Sequence, residues 1–412
     1  MLKRLIEHRR ALHRIPELGF DLPKTRAYIL SVLESLPCEI TSIGQASVCA
    51  FFNAGKNASI AFRSDMDALP VTEDSSCEYA SIHSGKMHAC GHDGHMAILL
   101  TFAEEISQIA ELPHNVLLVF QAAEETVGGA PEICESGIFE KYGVRKIFGL
   151  HLWPDYPAGS LICRKNEFMA KTCNLDIEIF GKSSHAAKHE FGIDALCIGV
   201  DFVKAAYAME SSEIPASVFR LLKFGVFNSG TAINVISGYS IISGTMRCFQ
   251  DDIFSFMSGR LREIASDLEK KFGCDIKITF FEGYPALINK PAAFEEFKTA
   301  VSIPVESRCA LADADLAAGM TNAEAADSDA SVQGKTALEP AAPRRLTLYE
   351  PAAPTLTAED FAFYLQKLPG VYFYIGTGTN TPLHNNKYLL DESVLPLGVE
   401  VFFRLLYNIA ID

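Results

Sequence analysis

The feature that most constrains the fold is the run Asn115–Gln121, NVLLVFQ, which is apolar between its end residues and leads into Ala-Ala-Glu-Glu. A strand with one face in water alternates polar and apolar residues; this one does not, so both faces must be covered. Ser59–Phe62 and Ile147–Leu152 (IFGLHL) share that texture, and helix-period apolar positions occupy Leu5–Ile15 and Lys24–Leu36. Buried strands alternating with helices predict an α/β fold, a mostly parallel sheet flanked by helices. Reactive groups in such sheets gather where strands run out into loops. Three polar groups occupy such places: Asp65 and Asp67 beyond the first strand, Glu124 and Glu125 beyond the second, and His151 within the third.

The texture changes near Cys173. Asn174–Phe180 (NLDIEIF) alternates as a half-exposed strand does, followed by a helix over Ile193–Glu210 and strands over Ser217–Phe227 and Tyr239–Arg247. A helix over Asp251–Phe272 and a strand over Asp275–Phe281 complete a ferredoxin-like order. The expected organisation is a catalytic domain in two parts, 1–172 and 285–412, around an inserted α+β lid and dimerisation domain, 173–284. An alanine-rich insertion at about 309–345 shows no sustained period and is expected to be a surface bulge. After it, Ala358–Leu365 and Ser393–Leu406 read as helices and Val371–Gly376 as a strand.

Composition narrows the function classes. With 36 basic against 51 acidic residues, a net charge of −15, the chain lacks the basic footprint of a nucleic-acid binder. No stretch reaches the length of a membrane span, and the start, MLKRLIEHRR, has no apolar core of a secretory leader. Eleven scattered cysteines, among them Cys134, Cys163 and Cys197 in apolar or helical runs, suit reduced thiols in a cytoplasm, most of them as small core residues.

Three clusters carry candidate chemistry. MHACGHDGHM, Met87–Met96, sets Cys90, His92, Asp93 and His95 before an apolar helix from Ala97 to Ile106. A cysteine and a histidine two apart at a helix start put a thiolate and an imidazole within reach of one cation, although histidines there also simply cap or solvate. RSDMDALP, Arg63–Pro70, holds two aspartates one residue apart, which in extended chain point the same way. Such a pair needs a cation, an arginine or a proton between its members, unless it merely caps a turn. The Glu124-Glu125 pair follows a buried strand, so one carboxylate is free to bind metal while the other handles a proton. His151 and His384 are individually weak signals, since a lone strand histidine is more often a satisfied core residue. The chain has no HExxH helix and no GxSxG elbow. Gly181-Lys182-Ser183 lacks the first glycine of a phosphate loop, Asp176 standing there, and Gly376 and Gly378 lack the third of a dinucleotide fingerprint.

Taken in order, HRIPELGF, RSDMDALP, MHACGHDGHMA, FQAAEE with GGA, GLHLWPDYPAG, GKSSHAA, SGTAINVISG, SGTMRCF, TAEDFAFYL and PLH resemble the M20 family of metallopeptidases and amidohydrolases, in its N-acyl-amino-acid amidohydrolase branch. They run from His13 to His384 and leave out only the alanine-rich insertion. The resemblance implies two divalent ions per subunit, manganese or zinc with cobalt or nickel as further candidates, bound by Cys90, His92, Glu125, His151 and His384, with Cys90 bridging. It implies Glu124 as general base and Asp67 as the aspartate that tunes the site. In the lid, His185 and Asn234 match residues that stabilise an oxyanion, often in a partner subunit, and Arg247 a position suited to gripping the substrate carboxylate. The alternative for Arg247 is a surface ion pair.

The chain departs from the family pattern at Ala122 and Ser237, where proline is usual, and in HAAKHEFG, which lacks the common proline-histidine. The expected reaction is hydrolysis of an N-acyl-L-amino acid by a homodimer joined through the lid, with no nucleic-acid or membrane partner. A narrower alternative is N-acetyldiaminopimelate deacetylation in lysine biosynthesis; one of another class is a non-catalytic metal- or small-molecule-binding protein on the same scaffold. Retention of every expected ligand and of Glu124 favours the enzyme.

Overall fold

The computed structural model describes residues 1–304 and 346–411, so the alanine-rich stretch 309–345 lies outside the described residues. The chain divides into two compact units: the first comprises Met1–Asn166, Asn289–Ala352 and the C-terminal part from Phe363, the second Glu167–Ile288 and Ala353–Ala362.

The first unit is built on an eight-stranded mixed sheet. Its strands in chain order are β1 (Glu39–Ile43), β2 (Ser47–Phe52), β3 (Ser59–Asp65), β4 (Asn115–Gln121), β5 (Val144–Trp153) and β6 (Leu161–Ile162), then Leu348–Tyr349 and Gly370–Gly376. Across the sheet the order is β1, β2, β4, β3, β5, Gly370–Gly376, β6, Leu348–Tyr349. The central four strands pair in parallel, β3 between β4 and β5, and β5 beside Gly370–Gly376. All seven residues of β3, of β4 and of Gly370–Gly376 are buried, as NVLLVFQ requires of a strand covered on both faces. Helices Leu2–His13, His92–Ser107 and Leu395–Asn408 pack together beside it. One aromatic group ties these layers: Phe62 of β3 lies 5.0 Å from Phe102 and 4.8 Å from Phe402, ring centre to ring centre. Truncating one such buried ring costs about 3–5 kcal/mol.

The His92–Ser107 helix starts five residues before the expected Ala97, so His92, Asp93 and His95 lie in its first turn. Glycine at its start hid this from the periodicity. Gly91 takes φ 91°, a backbone region that favours glycine, and a Cβ on Gly94 would sit 2.7 Å from both Leu152 and Leu390 side-chain carbons. The expected helix over Ala358–Leu365 is shorter, Ala362–Lys367. Cys163 is buried as expected, but Cys197 is exposed on the first turn of its helix, where Ala195 and Ile198 face inward instead.

The second unit has the strand-helix-strand-strand-helix-strand order, with helices Ala195–Ser212 and Asp251–Phe272. Its antiparallel sheet runs Asp275–Glu282, Lys171–Phe180, Tyr239–Cys248, Leu221–Ser229. The alternation of NLDIEIF appears directly as burial: Leu175, Ile177 and Ile179 are core, their neighbours half-buried or exposed.

No described helix is long and apolar enough to cross a membrane.

Candidate metal centre

The carboxyl ends of the parallel strands β3, β4 and β5, and the loop after Gly370–Gly376, deliver the polar residues to one place in the first unit. Three overlapping groups have their donor atoms within 4.8 Å of one another: Cys90 with His92 and His151, Cys90 with Glu125 and His384, and His92 with Glu124 and Glu125. Cys90 is common to two of them, so all five expected ligands and the expected base converge. Sγ of Cys90 lies 3.4 Å from Nε2 of His151, and Nε2 of His384 lies 3.4 Å from Oε1 of Glu125.

Each inner histidine is oriented through its far nitrogen. Nδ1 of His92 donates to the Asp67 carbonyl at 2.7 Å, and Nδ1 of His151 donates to the Leu152 carbonyl at 2.9 Å. Both leave Nε2 as the inward lone pair, the arrangement that fixes tautomer and ring direction in metal sites. Nε2 of His92 and Oε1 of Glu125 are buried without a hydrogen-bond partner among the described residues. A buried donor set with orphaned atoms fits a cation, since unpaired polar atoms in such surroundings are costly.

Burial and neighbouring charge set the protonation of the cluster. Burial, with Glu125 and Glu124 beside it, pushes the Cys90 thiol well above its ordinary range. Burial, followed by the charge of His95, holds His151 well below the usual imidazole range, neutral as a ligand must be. Asp67 is pushed up to about 7 by burial, against the attraction of His92 and with the repulsion of Glu125.

Asp67 has a second task. One carboxylate oxygen accepts the Glu124 amide at 2.9 Å and the other the Glu125 amide at 3.1 Å. The loop needs that grip, because Ala123, just before the glutamates, has φ 62°, strained for a residue with a Cβ. Gly129 completes the turn: a Cβ there would lie 2.0 Å from the Ala122 carbonyl oxygen. His384 also takes a left-handed φ, 65°, its amide bound to the Ala89 carbonyl at 2.8 Å, and its side chain is half exposed.

The two aspartates of RSDMDALP lie at opposite sides of one imidazole. They bracket the His92 ring, Asp65 Oδ2 lying 3.7 Å from Nε2 and Asp67 Oδ1 3.9 Å from Nδ1. Arg63 meets Asp65 at 2.8 Å, so an arginine and an imidazole relieve the like charges. Asp93 points away, into an ion network with Arg9 at 2.8 Å and His13 at 2.8 Å. Sequence reasoning placed Asp65 and His95 in its candidate clusters without a specific role and passed over Arg9 and His13; the signal available for those two was basic residues at helical spacing along the apolar face of their helix.

His185, Asn234 and Arg247 belong to the second unit. His185 and Asn234 are exposed, with His185 Nδ1 accepting the Ala187 amide at 3.0 Å. Arg247 is half-buried and donates to the Leu356 carbonyl at 2.5 Å.

Comparison with known proteins gives a consistent result. Residues 61–408 match the family described as peptidase family M20/M25/M40. An N-acetyldiaminopimelate deacetylase of Streptococcus uberis is 31% identical over 396 residues, covering 95% of each chain. Among solved structures, the YXEP protein of Bacillus subtilis, a dinuclear metal-binding peptidase of the M20 family, has a TM-score of 0.76 at 27% identity, with 98% of this chain and 97% of that chain covered. A protein of methicillin-resistant Staphylococcus aureus assigned as an aminohydrolase has a TM-score of 0.83 at 25% identity, with coverage of 98% and 96%.

Proposed function

The chain belongs to peptidase family M20/M25/M40, and from that premise we propose that it hydrolyses the amide bond of N-acyl-L-amino acids at a two-ion centre held by Cys90, His92, Glu125, His151 and His384. The observation that carries this reading is the pair of donor triplets sharing Cys90. A pair of divalent ions in such a site supplies polarisation of an amide carbonyl and acidification of water. Manganese or zinc fits the mixed thiolate, imidazole and carboxylate set, with cobalt or nickel as substitutes.

The residues divide the work. Glu124 accepts the proton of the attacking water and delivers it to the leaving nitrogen as the C–N bond breaks, releasing a carboxylate and a free amino acid. Asp67 keeps Glu124 and Glu125 in place through their amides and His92 in place through its carbonyl. His185 and Asn234 are assigned the developing oxyanion and Arg247 the substrate carboxylate, on the strength of their motif positions and donor chemistry.

The narrower reading, N-acetyldiaminopimelate as substrate, is supported by the Streptococcus uberis relative. A panel of acetyl-, benzoyl- and succinyl-amino acids separates it from a broad acyl range. A homodimer joined through the second unit is supported by that unit's edge strand Leu221–Ser229 and its exposed Val226, Phe227 and Phe191; sedimentation of the full chain tests it. A cytoplasmic location is supported by ten free cysteines among the described residues.

Glu124→Ala tests the central claim. It is expected to keep both ions and to lower kcat by roughly 10²–10⁴-fold; near-normal turnover removes Glu124 as the base.

A further inference from the structure

The end of β5 presents an accounting problem. Strand β5 lies between β3 and Gly370–Gly376; its pairing with β3 ends at Arg63–Gly149, and β3 itself ends at Asp65, short of the level of Leu152. Pairing with Gly370–Gly376 continues to Trp153, whose carbonyl accepts the Thr377 amide at 2.9 Å. Polar groups of successive residues in a strand face opposite neighbours. Those of Leu152 therefore face the side where β3 has run out, and in a buried position they require partners.

Two histidines take the place of the missing strand. Nε2 of His95 accepts the Leu152 amide at 2.9 Å, and Nδ1 of His151 donates to the Leu152 carbonyl at 2.9 Å. The residue whose carbonyl orients His151 is thus held at its amide by His95, the two peptide units meeting at the Leu152 Cα. The tautomer of His95 is set in turn: its Nδ1 donates to Asp65 Oδ1 at 2.7 Å, and Asp65 Oδ2 accepts Arg63 Nη1 at 2.8 Å. Arg63 also reaches Gln121, at the end of β4, at 3.0 Å. Both His95 nitrogens are thereby committed. His95 is close enough to His92 and Asp65 to complete a donor triplet, but it has no lone pair left for a cation.

We propose that His95 is a positioning residue, a side-chain substitute for a strand, which holds the amide of Leu152, and with it the adjoining carbonyl, and so aims His151 at the metal centre. It acts on only one part of that centre, the ion held by Cys90, His92 and His151; the Cys90, Glu125 and His384 group is reached by a different loop. This assignment rests on the two-ion reading above.

The test uses the metal-free full chain titrated with Co²⁺, read from thiolate-to-cobalt charge-transfer absorption, with the fold checked by circular dichroism. The wild type is expected to take up two ions. In His95→Leu, which offers no acceptor to the Leu152 amide, one ion weakens by roughly 10–100-fold while the other binds as in the wild type. His384→Ala weakens the opposite ion. His95→Gln, whose amide both donates and accepts, restores the lost step; general loosening of the core would be corrected by neither choice of side chain and would weaken both ions together. Unchanged binding in His95→Leu, or equal loss of both ions, overturns the assignment while leaving the two-ion reading intact. A wild type that takes up no Co²⁺ overturns both. Should His95→Leu not fold, ¹⁵N-histidine NMR of the wild type decides: a proton on Nδ1 of His95 with Nε2 bare supports the role, and a proton on Nε2 overturns it.

Discussion

The two units bury very different things. In the first, arginine, aspartate, glutamate and histidine side chains are buried in numbers, among them Arg9, His13, Arg63, Asp65, Asp67, His92, Asp93, His95, Glu124 and His151. In the second, the buried polar side chains between Glu167 and Ile288 are three serines, Ser237, Ser240 and Ser258, and its buried carboxylates, Glu359 and Asp360, lie in its short segment Ala353–Ala362. Its ion pairs, such as Arg260 with Glu213, lie toward the surface. Burying charge costs far more than burying carbon, so the first unit's composition needs a reason that the second unit's main segment, Glu167–Ile288, does not. The reason available is chemistry: charges at strand ends orient one another and the donors.

That contrast can be broken by substitution. The Glu124→Ala loss described above should be the largest effect on turnover, with stability unchanged. On stability, Arg9→Met leaves Asp93 buried beside His13 without its guanidinium and should cost about 3–5 kcal/mol by urea denaturation. A much smaller cost would show that the network is not needed for folding. Cys90→Ser should weaken metal occupancy, because an alcohol is a poor replacement for thiolate, whereas Cys197→Ser on the exposed second-unit helix should leave occupancy unchanged; elemental analysis after dialysis compares them.

A smaller effect concerns pH. The imidazole of His13 meets Asp93 and Glu73, the latter at 3.3 Å. Burial works against its charge, but Asp93 and both hydrogen bonds outweigh this and hold its pKa up. Glu73 is held at about 2; burial opposes this, and the bonds from His13, Ser75 and the Ser81 amide prevail. The raised imidazole stabilises below its unfolded pKa of about 6.5 and loses that contribution as pH rises through the folded value. The depressed carboxylate stabilises above its unfolded pKa of about 4.3 and loses that contribution as pH falls towards 2. The stability gap between wild type and Glu73→Gln should therefore be widest at roughly pH 4.3–6.5 and narrow on either side; a gap independent of pH would contradict the ion pair. Smallest of all, Arg260→Met in the second unit should leave the denaturation midpoint in place.

The same contrast explains what was legible in the sequence. Buried strands announce themselves by lacking a period, as in β4, and half-exposed ones by having it, as in Lys171–Phe180. Cys90, His92, Glu125, His151 and His384 were legible through ordered motifs, and their convergence is a fact of topology that no single motif contains. The β1–β2 hairpin went unread although SVCAFF shares the texture of β4, because its partner EITSI is short and mostly polar and the turn rests on Gly44 at φ 55° without a two-residue hairpin signature. Ala123 was invisible for another reason: nothing about alanine signals a left-handed backbone, which is imposed here by Asp67 and Gly129. The link between His95 and Leu152 spans 57 residues and exists only because β3 is shorter than β5.

One carboxylate clasps two consecutive amides. Because Asp67 fastens Glu124 and Glu125 together, the group that would move protons and the group that would hold metal share a single anchor and cannot drift apart independently during evolution. Changes at position 67 should therefore be strongly epistatic with both glutamates. A lineage seeking a new pH range or a new metal would have to remake the anchor and both carboxylates at once, or leave all three untouched.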